Sequence, residues 1–390
     1  MKKVAIVSCY FQKNYGSMLQ AFATQKALNY LGYENETICI DGISKEIRNA
    51  KLKHYIFQLF DFSLIKGKIG FIKRIILQKI NKEFKTNIKI RNKKFIKFRE
   101  RFKISKQCNS RKELTAYCKE FSSILVGSDQ LWLPSNIDAD YYTLSFVPDE
   151  INKISYATSF GVSMIPQRQW GIANIFLNRI NHVSVRENTG KEIVNKVSYR
   201  DVPVVCDPTL LFTSEQWAED FPIERIIKEE YIFCYFLGNN PDQRAFVQKV
   251  KDLTGLKIVA LLHLDEYIKI DCNFPDYAPF DVDPADFVNL IRNAEYVFTD
   301  SFHGTIFSVL HQKKFFTFKR FKEGSTLSTN SRMHSLFNIL GLQNRFISSN
   351  ENVEQCISKT INYKPVLNRI ELLRKESMQF LINALEDSSK

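Results

Sequence analysis

His303 is the side chain in this sequence whose surroundings most clearly suggest chemistry. It stands in a Thr-Asp-Ser-Phe-His-Gly-Thr run at residues 299–305, after an apolar segment at 296–298 and before another at 306–310. This pattern predicts a strand, a turn and a helix, and the free N–H groups at the start of a helix can bind an anion. An imidazole with a pKa of about 6.5 can move protons near neutral pH. A plain helix cap with His303 packed beside it is the alternative.

Polar side chains that could bind hydroxyls or a phosphate follow three other predicted strands. Carboxylates, amides and hydroxyls form paired hydrogen bonds with the hydroxyl groups of a sugar. The residues are Asn14, Tyr15, Gly16, Ser17 and Gln20 after the first strand, Ser128, Asp129 and Gln130 after the strand at 123–126, and Ser159 after the strand at 153–157. Each cluster on its own also fits an ordinary turn that caps a helix.

Arg186 ends a further predicted strand, at residues 182–185. An arginine can hold a phosphate or a carboxylate through two parallel hydrogen bonds. A structural ion pair with Glu187 or Asp207 is the alternative for a single arginine. With the segment around His303, the chain has five polar clusters at the carboxyl ends of strands, where open parallel sheets bind ligands. We therefore expect these clusters to converge on one cleft.

The elements that must position these residues alternate between strands and helices. An apolar strand at 3–9, a helix with apolar spacing at 18–31 and a strand at 37–40 form a βαβ unit, which implies a parallel sheet. The same rhythm starts again at residue 231. The sequence therefore predicts an α/β fold with two Rossmann-like domains that face a cleft. They are expected at 1–220 and 221–365, followed by a closing helix and tail at 366–390.

The net charge of +13 is concentrated in one segment of the first domain. Residues 44–119 hold 23 Lys and Arg against 5 Asp and Glu, interleaved with Ile, Leu and Phe, which predicts a basic helical insert. Two roles stay open for this insert: a solvated segment with one buried face, or a peripheral contact with an anionic membrane. A nucleic-acid partner is not expected, because no nucleic-acid-binding module is visible.

Cysteine usage and hydropathy restrict the compartment and the cofactor. The eight cysteines are scattered and form no Cys-x-x-Cys pair, so they signal neither a zinc site nor a redox motif and fit a reducing cytoplasm. The sequence has no secretory signal and no apolar stretch of about 20 residues. We predict a cytoplasmic protein, with peripheral contact to the inner face of the cell membrane as an option. It is expected to use no metal and no cofactor.

Six short motifs, in order and in spacing, resemble the polysaccharide pyruvyl transferase family. They are Asn14-Tyr-Gly-Ser-x-x-Gln20, Val126-Gly-Ser-Asp-Gln130, Ser155-Tyr-Ala-Thr-Ser-Phe-Gly161, Ser184-Val-Arg-Glu187, Cys206-Asp-Pro-Thr209 and Thr299-Asp-Ser-Phe-His-Gly304. The motifs span nearly the whole chain apart from the basic insert and the tail. The resemblance implies a fold similar to that of two-domain glycosyltransferases of the GT-B type. It also implies transfer of pyruvate from phosphoenolpyruvate onto two hydroxyls of a sugar, which gives a cyclic ketal and releases phosphate.

The resemblance also implies roles for the strand-end clusters. His303 is expected to be the catalytic histidine, and Arg186 is expected to hold the phosphate or carboxylate of the donor. Studied members tend to have an arginine where this chain has Ser301. The donor site is therefore expected to be completed by Ser301, Gly304, Arg320 and Arg332, with Lys319 as a further candidate cation. The polar groups from Asn14 to Ser159 named above are expected to bind the acceptor.

Two other functions stay open on the sequence alone. A GT-B glycosyltransferase that uses a nucleotide sugar would hold a diphosphate in the same cleft and would release a nucleotide. A non-catalytic glycan-binding or scaffold protein of polysaccharide assembly would bind glycan without turnover. For the transferase, the expected partner is a sugar acceptor in a bacterial polysaccharide precursor, and a lipid-linked sugar is one candidate form.

Overall fold

Two parallel β-sheets organise the chain, one in each half. The structure, a computed structural model, describes residues 2–58, 81–263, 267–320 and 330–387. The strands of the first sheet are β1 (Lys3–Val7), β2 (Glu34–Cys39), β3 (Ile104–Gln107), β4 (Ser123–Val126), β5 (Asn152–Thr158) and β6 (His182–Val185). They lie in the order β3-β2-β1-β4-β5-β6, and every neighbouring pair is parallel.

Helices cover both faces of this sheet, which is why its central strands are apolar on both sides. Residues 4–7 of β1 and all of β4 are buried. The helices of this half are α1 (Tyr15–Tyr30), α2 (Ser44–Gln58), α3 (Lys82–Arg99), α4 (Arg111–Cys118), α5 (Pro134–Ala139), α6 (Trp170–Arg179), α7 (Asn188–Ser198) and α8 (Ser214–Asp220). Because each parallel strand returns through such a crossover, the carboxyl ends of the strands all lie at one edge.

The second half repeats the plan with a five-stranded sheet. Its strands are β7 (Tyr231–Tyr235), β8 (Lys257–Ala260), β9 (Tyr296–Thr299), β10 (Lys314–Phe318) and β11 (Phe346–Ile347), in the order β11-β10-β9-β7-β8. Its helices are α9 (Pro241–Thr254), α10 (Pro284–Asn293), α11 (Phe302–Leu310), α12 (Asn330–Leu340), α13 (Val353–Ser358) and α14 (Tyr363–Glu386). The prediction of an α/β fold with two Rossmann-like domains that face a cleft is confirmed.

The last helix of the chain, α14, packs against the first domain. The Asn152 side chain donates to the carbonyl of Ala384 (2.8 Å), and the backbone N–H of Cys206 donates to Ser377 Oγ (2.9 Å). Buried apolar residues of α14, among them Val366, Ile370 and Leu381, belong to the same core as β1 and α1. The helix therefore ties the end of the chain back to the first sheet.

The basic segment at 44–119 is largely helical, as predicted, but it also contains one strand. Helices α2 and α3 lie where helices are predicted, and residues 59–80 lie outside the described residues. However, Ile104–Gln107 forms β3, an edge strand of the first sheet, inside the segment that the sequence predicts as a helical insert. A strand of four residues with only one buried side chain carries too little alternation to be read as a strand.

Helix α3 also reaches across to the second domain. Arg91 is fully buried, and it donates to the carbonyls of Leu262 (2.6 Å) and Pro279 (3.0 Å) in the second half. Four residues further along the same helix, the Phe95 ring packs on Tyr15 with 4.9 Å between centroids. The insert therefore has a buried face, and that face joins the two domains beside the start of α1.

Candidate active site between the two domains

Polar side chains from both domains meet at the carboxyl ends of the strands. The first domain contributes Ser17 at the start of α1, Asp129 after β4, Arg186 after β6 and Asp207 in the segment after Val205. The second domain contributes His303 on the first turn of α11. These five side chains form a continuous set of contacts through the cleft.

Arg186 is the centre of this set. Its Nη1 donates to Asp207 Oδ2 at 2.6 Å, and its Nη2 lies 3.7 Å from Asp129 Oδ1. Its guanidinium also lies over the Phe302 ring, 4.4 Å from the centroid. The side chain is 1% exposed, yet Nε and Nη2 make no hydrogen bond with the described residues. One edge of the guanidinium can therefore still bind an anionic ligand.

Asp207 connects Arg186 to His303 across the domain boundary. His303 Nε2 lies 3.4 Å from Asp207 Oδ2, an ion-pair distance, and Thr209 and Ser128 donate to the same carboxylate at 2.7 and 3.0 Å. Burial would raise the pKa of Asp207, but His303 and Arg186 hold it well below the ordinary value of a carboxyl. Asp207 is therefore charged at neutral pH, and its carboxylate lies at ion-pair distance from the His303 ring.

Gly16 allows His303 to reach this position. A Cβ built on Gly16 would lie 2.0 Å from His303 Nδ1, so any larger residue would collide with the imidazole. The first turn of α1 therefore approaches the first turn of α11 directly, with only the histidine ring between them. This contact between domains accounts for the glycine in the Asn-Tyr-Gly-Ser motif.

Asp129 is the second carboxylate of the set and has a strained backbone, with a φ of 82°. Ser17 Oγ donates to its Oδ2 at 2.6 Å. Burial would raise the pKa of Asp129, but Arg186, His303 and the hydrogen bond from Ser17 lower it. A non-glycine residue in the left-handed region at a strand end is often part of a functional site.

Arg332 on α12 is a buried cation that has no hydrogen-bonding or ion-pair partner among the described residues. It is 7% exposed, and its guanidinium makes no hydrogen bond or ion pair with the residues that the structure describes. It lies over the Phe302 ring, 5.5 Å from the centroid, so Arg186 and Arg332 contact the same ring. Burial, and then repulsion by Arg186, lower the pKa of Arg332 to about 9. An unpaired buried charge is costly, which indicates that an anion belongs here.

The other predicted donor residues lie at the same helix start. Ser301 caps α11, since its Oγ accepts from the N–H of Gly304 at 3.3 Å. A Cβ on Gly304 would lie 2.7 Å from Thr299 Oγ1, so this glycine allows α11 to pack on β9. Arg320 donates to the carbonyl of Asp300 at 2.7 Å, and its Nε has no partner among the described residues. A role in donor binding stays a prediction for all three.

The predicted acceptor residues divide into those that reach the central set and those that support it. Ser17, Ser128 and Asp129 contact it directly, and Ser159 donates to Glu187 Oε1 at 2.7 Å. Asn14 caps α1 through the N–H of Ser17 (3.1 Å). Their binding of an acceptor stays a prediction.

Two of the predicted acceptor side chains, those of Tyr15 and Gln20, hydrogen-bond to other parts of the protein. Tyr15 is stacked on Phe287 and donates to the carbonyl of Val282 (3.3 Å), so it joins the domains. Gln20 donates to the carbonyl of Ser17 (2.8 Å). Gln130 lies beside Gly161, and its buried Nε2 has no hydrogen-bond partner among the described residues, so its binding of an acceptor stays a prediction.

Two buried carboxyl groups of the cleft are missing from the site predicted from the sequence. Asp207 and Glu187 enter it only as structural partners of Arg186. Glu187 stands just after β6, and Asp207 stands in the segment after Val205; both segments reach the cleft. A carboxyl group in that position is itself a signal, since charged groups at strand ends are rarely buried without a partner or a ligand. No group of three or more potential metal ligands occurs among the described residues.

Comparison with known proteins supports this reading of the fold. A family model described as polysaccharide pyruvyl transferase matches residues 14–320. No curated protein sequence matches the chain. Among solved structures, the chain is similar to UDP-GlcNAc 2-epimerase from Neisseria meningitidis bound to UDP-GlcNAc (9% identity, TM-score 0.46, 97% of this chain and 100% of that chain).

Two further structures show the same level of similarity. MurG from Acinetobacter baumannii has 10% identity and a TM-score of 0.45, with 99% of each chain covered. A UDP-N-acetylglucosamine 2-epimerase has 10% identity and a TM-score of 0.50, with 99% of this chain and 95% of that chain covered. At 10% identity the likeness to this last structure concerns the fold alone.

Proposed function

The chain belongs to the polysaccharide pyruvyl transferase family, and from this premise we propose that it transfers pyruvate from phosphoenolpyruvate to a sugar. The pyruvate is joined to two hydroxyls of the sugar as a cyclic ketal, and phosphate is released. The acceptor is a sugar of a bacterial polysaccharide precursor. The reaction needs cations for a donor with two anionic groups, and a group that moves protons near neutral pH.

The observation that carries this proposal is the pair Arg186 and Arg332 on either side of the cleft. Both guanidiniums contact Phe302, and both retain nitrogen atoms without a hydrogen bond to the described residues. Phosphoenolpyruvate carries both of its anionic groups, a phosphate bound through oxygen and a carboxylate, on the same carbon, C2. Two buried arginines that contact one ring suit two such anions, because charge-assisted hydrogen bonds are strong in a buried site of low dielectric constant.

Arg332 also compensates for the absence of an arginine at position 301. Studied members of the family tend to have that arginine two residues before the histidine, and here Ser301 caps α11 instead. Arg332 approaches the same helix start from α12, against the neighbouring Phe302. We assign to Arg332 the donor contact that the arginine at 301 makes in those relatives.

His303 and Asp207 supply the proton transfer. In the first step a sugar hydroxyl attacks C2 of the donor, C3 gains a proton, and His303 accepts the hydroxyl proton while Asp207 stabilises the imidazolium. In the second step the bond between C2 and the phosphate oxygen breaks, His303 returns its proton to the phosphate, and the second hydroxyl loses its proton and closes the ring. His303 neither supplies the proton on C3 nor takes the proton of the second hydroxyl, so a second group must do both.

We propose that the protein is cytoplasmic and meets a lipid-linked acceptor at an anionic membrane surface. The segment 44–119 supports this, because its charge favours anionic lipid and α2 exposes Leu52 (56%) and Tyr55 (52%) beside Lys53. No described helix has the length and apolarity needed to span a bilayer. Sedimentation with anionic liposomes should recover the protein in the pellet, and recovery equal to that with neutral liposomes would contradict the proposal.

Phosphate release from phosphoenolpyruvate, with a panel of lipid-linked sugars, tests the proposed function. The wild type should release phosphate in step with a pyruvylated product, and phosphoenolpyruvate alone should raise its melting temperature. Release of a nucleotide from a nucleotide sugar, with no phosphate from phosphoenolpyruvate, would refute it.

Arg332→Met tests the donor site within the same assay. Methionine removes the unpaired charge but keeps an extended apolar side chain, so the variant should be at least as stable as the wild type. It should bind phosphoenolpyruvate at least about 30-fold more weakly, because a charge contact of about 2 kcal/mol or more is lost. The control is Arg225→Met, which changes an exposed arginine more than 100 positions before Arg332 in the sequence. It should bind phosphoenolpyruvate as tightly as the wild type does. Unchanged binding by Arg332→Met would remove Arg332 from the donor site.

A further inference from the structure

Glu187 is a buried carboxyl group in the cleft whose surroundings do not account for it. It follows Arg186 directly at the end of β6, and its side chain is 1% exposed. One oxygen, Oε1, accepts a hydrogen bond from Ser159 Oγ at 2.7 Å. The other, Oε2, has no hydrogen-bond partner among the described residues. A buried carboxylate oxygen without a partner is unfavourable, so this oxygen needs either a ligand or a proton.

Glu187 has neither of the two ordinary structural roles of a buried glutamate at this position, which are to cap a helix and to form a close ion pair. Glu187 precedes α7 and occupies its N-cap position, yet its side chain makes no capping hydrogen bond. It also fails as a close ion-pair partner of Arg186, because Nε and Oε2 are 4.0 Å apart while Asp207 holds the same guanidinium at 2.6 Å. Glu187 therefore lies near Arg186 without a hydrogen bond to it, as does Asp129 at 3.7 Å on the Nη2 side.

The environment favours a proton on Glu187 more than on its neighbour Asp129. Burial raises the pKa of Glu187, although Arg186, Ser159 and Arg332 oppose the rise. The pKa of Asp129, on the other side of Arg186, is lowered. Two carboxyl groups whose pKa values are driven apart within one site are suited to different roles in acid–base chemistry. A neutral Glu187 also leaves the charges of Arg186 and Arg332 available for an anionic donor.

We propose that Glu187 is the general acid that protonates the methylene carbon C3 of the donor. This inference rests on the proposed function, because it supplies the proton that His303 cannot. Arg186 separates the two groups: Glu187 lies on the Nε side of its guanidinium, and Asp207 with His303 lies on the Nη1 side. A donor held by Arg186 has one proton-transferring group on each side.

The proton balance of the cycle closes with these two groups. In the first step the Glu187 carboxyl gives its proton to C3, a C–O bond forms at C2, and His303 takes the proton of the first hydroxyl. In the second step the C–O bond to phosphate breaks and His303 returns its proton to phosphate. The Glu187 carboxylate then takes the proton of the second hydroxyl as the ring closes. Both groups end in their starting states, and no other acid or base is needed.

The test compares Glu187→Gln, Glu187→Asp and the control Glu192→Gln, which changes an exposed carboxyl on α7. Glutamine can still accept the hydrogen bond from Ser159 but cannot donate a proton to carbon. We expect kcat for phosphate release to fall by about 10²-fold or more in Glu187→Gln, the usual contribution of a general acid. Its melting temperature should still rise with phosphoenolpyruvate. Glu187→Asp should retain measurable turnover, and Glu192→Gln should match the wild type.

The pH dependence of kcat separates an acid from a merely structural group. The charged groups that face Glu187 are Arg186 and Arg332, with Asp129 beyond Arg186. In the wild type kcat should fall as pH rises through the pKa of Glu187, and the residual activity of Glu187→Gln should not show that fall. Two outcomes would overturn the role of Glu187 while the proposed function stands. In one, Glu187→Gln has the same kcat as the wild type. In the other, the kcat of the wild type does not fall at high pH. If the wild type releases no phosphate from phosphoenolpyruvate, both fall together.

Discussion

Replacing Asp207 by Asn is expected to lower the free energy of unfolding by about 3–5 kcal/mol, the usual cost of removing one partner of a buried ion pair. The Asp207 carboxylate is fully buried, and it lies between Arg186 (2.6 Å) and His303 (3.4 Å). An amide has only one acceptor oxygen, so it would turn a donor towards either Arg186 or Thr209, and in both orientations the guanidinium would lose its closest negative charge. Urea unfolding of the variant measures the loss.

Acid should reduce this difference between the wild type and Asp207→Asn. Because the pKa of folded Asp207 lies well below the unfolded value of about 3.9, its contribution is complete above that pH and is lost as pH falls. The two proteins should therefore approach each other in stability between about pH 5 and pH 2. Asp201→Asn, at an exposed position in the same segment, controls for the loss of one charge and should be nearly neutral. A difference that does not change with pH would contradict the assigned pairing.

His303→Ala is expected to lower kcat by about 10²–10⁴-fold, because it removes the group that takes and returns the hydroxyl proton. Arg186 and Arg332 remain, so phosphoenolpyruvate should still raise the melting temperature of the variant. His334→Ala, at an exposed histidine on α12, is the control for this measurement and should retain full activity. Phosphate release at the wild-type rate by His303→Ala would exclude His303 from proton transfer.

Gly16→Ala tests the position of His303 without removing it. The added Cβ would meet the imidazole at 2.0 Å, so either α1 or the ring must shift. We expect kcat to fall while binding of the donor changes little, since neither arginine contacts Gly16. Gly171→Ala, where a Cβ meets nothing within 4 Å, should be silent in the same assay. Equal activity of the two variants would show that the contact between Gly16 and His303 is not needed.

The sequence predicts the plan of the fold well, because alternating apolar strands and amphipathic helices carry the information locally. The βαβ unit at the start of the chain and the strand before His303 are present as predicted. The strand ends do converge, since Ser17, Asp129 and Arg186 are in contact. That convergence follows from the parallel topology, and the pattern of strands and helices is sufficient to predict it.

Contacts between the domains could not be predicted from the sequence, because no local pattern encodes them. The fit of His303 against Gly16 and the contact of Arg186 with the Phe302 ring join residues more than 100 positions apart. Tyr15 shows the same limit: its type and position suggest a sugar contact, yet its ring is stacked on Phe287. A single sequence cannot distinguish a strand-end side chain that faces a ligand from one that faces the other domain.

The path of α3 has a consequence for how this protein can be recombined with its relatives. Arg91 and Phe95 belong to the first half in sequence, but their partners are carbonyls of the second half and the aromatic cluster at the cleft. A chimera that joins the first domain of one relative to the second domain of another would bury a guanidinium against a foreign surface. The unit that can be exchanged intact is therefore the second domain together with the helix at 82–99, although that helix is encoded in the middle of the first.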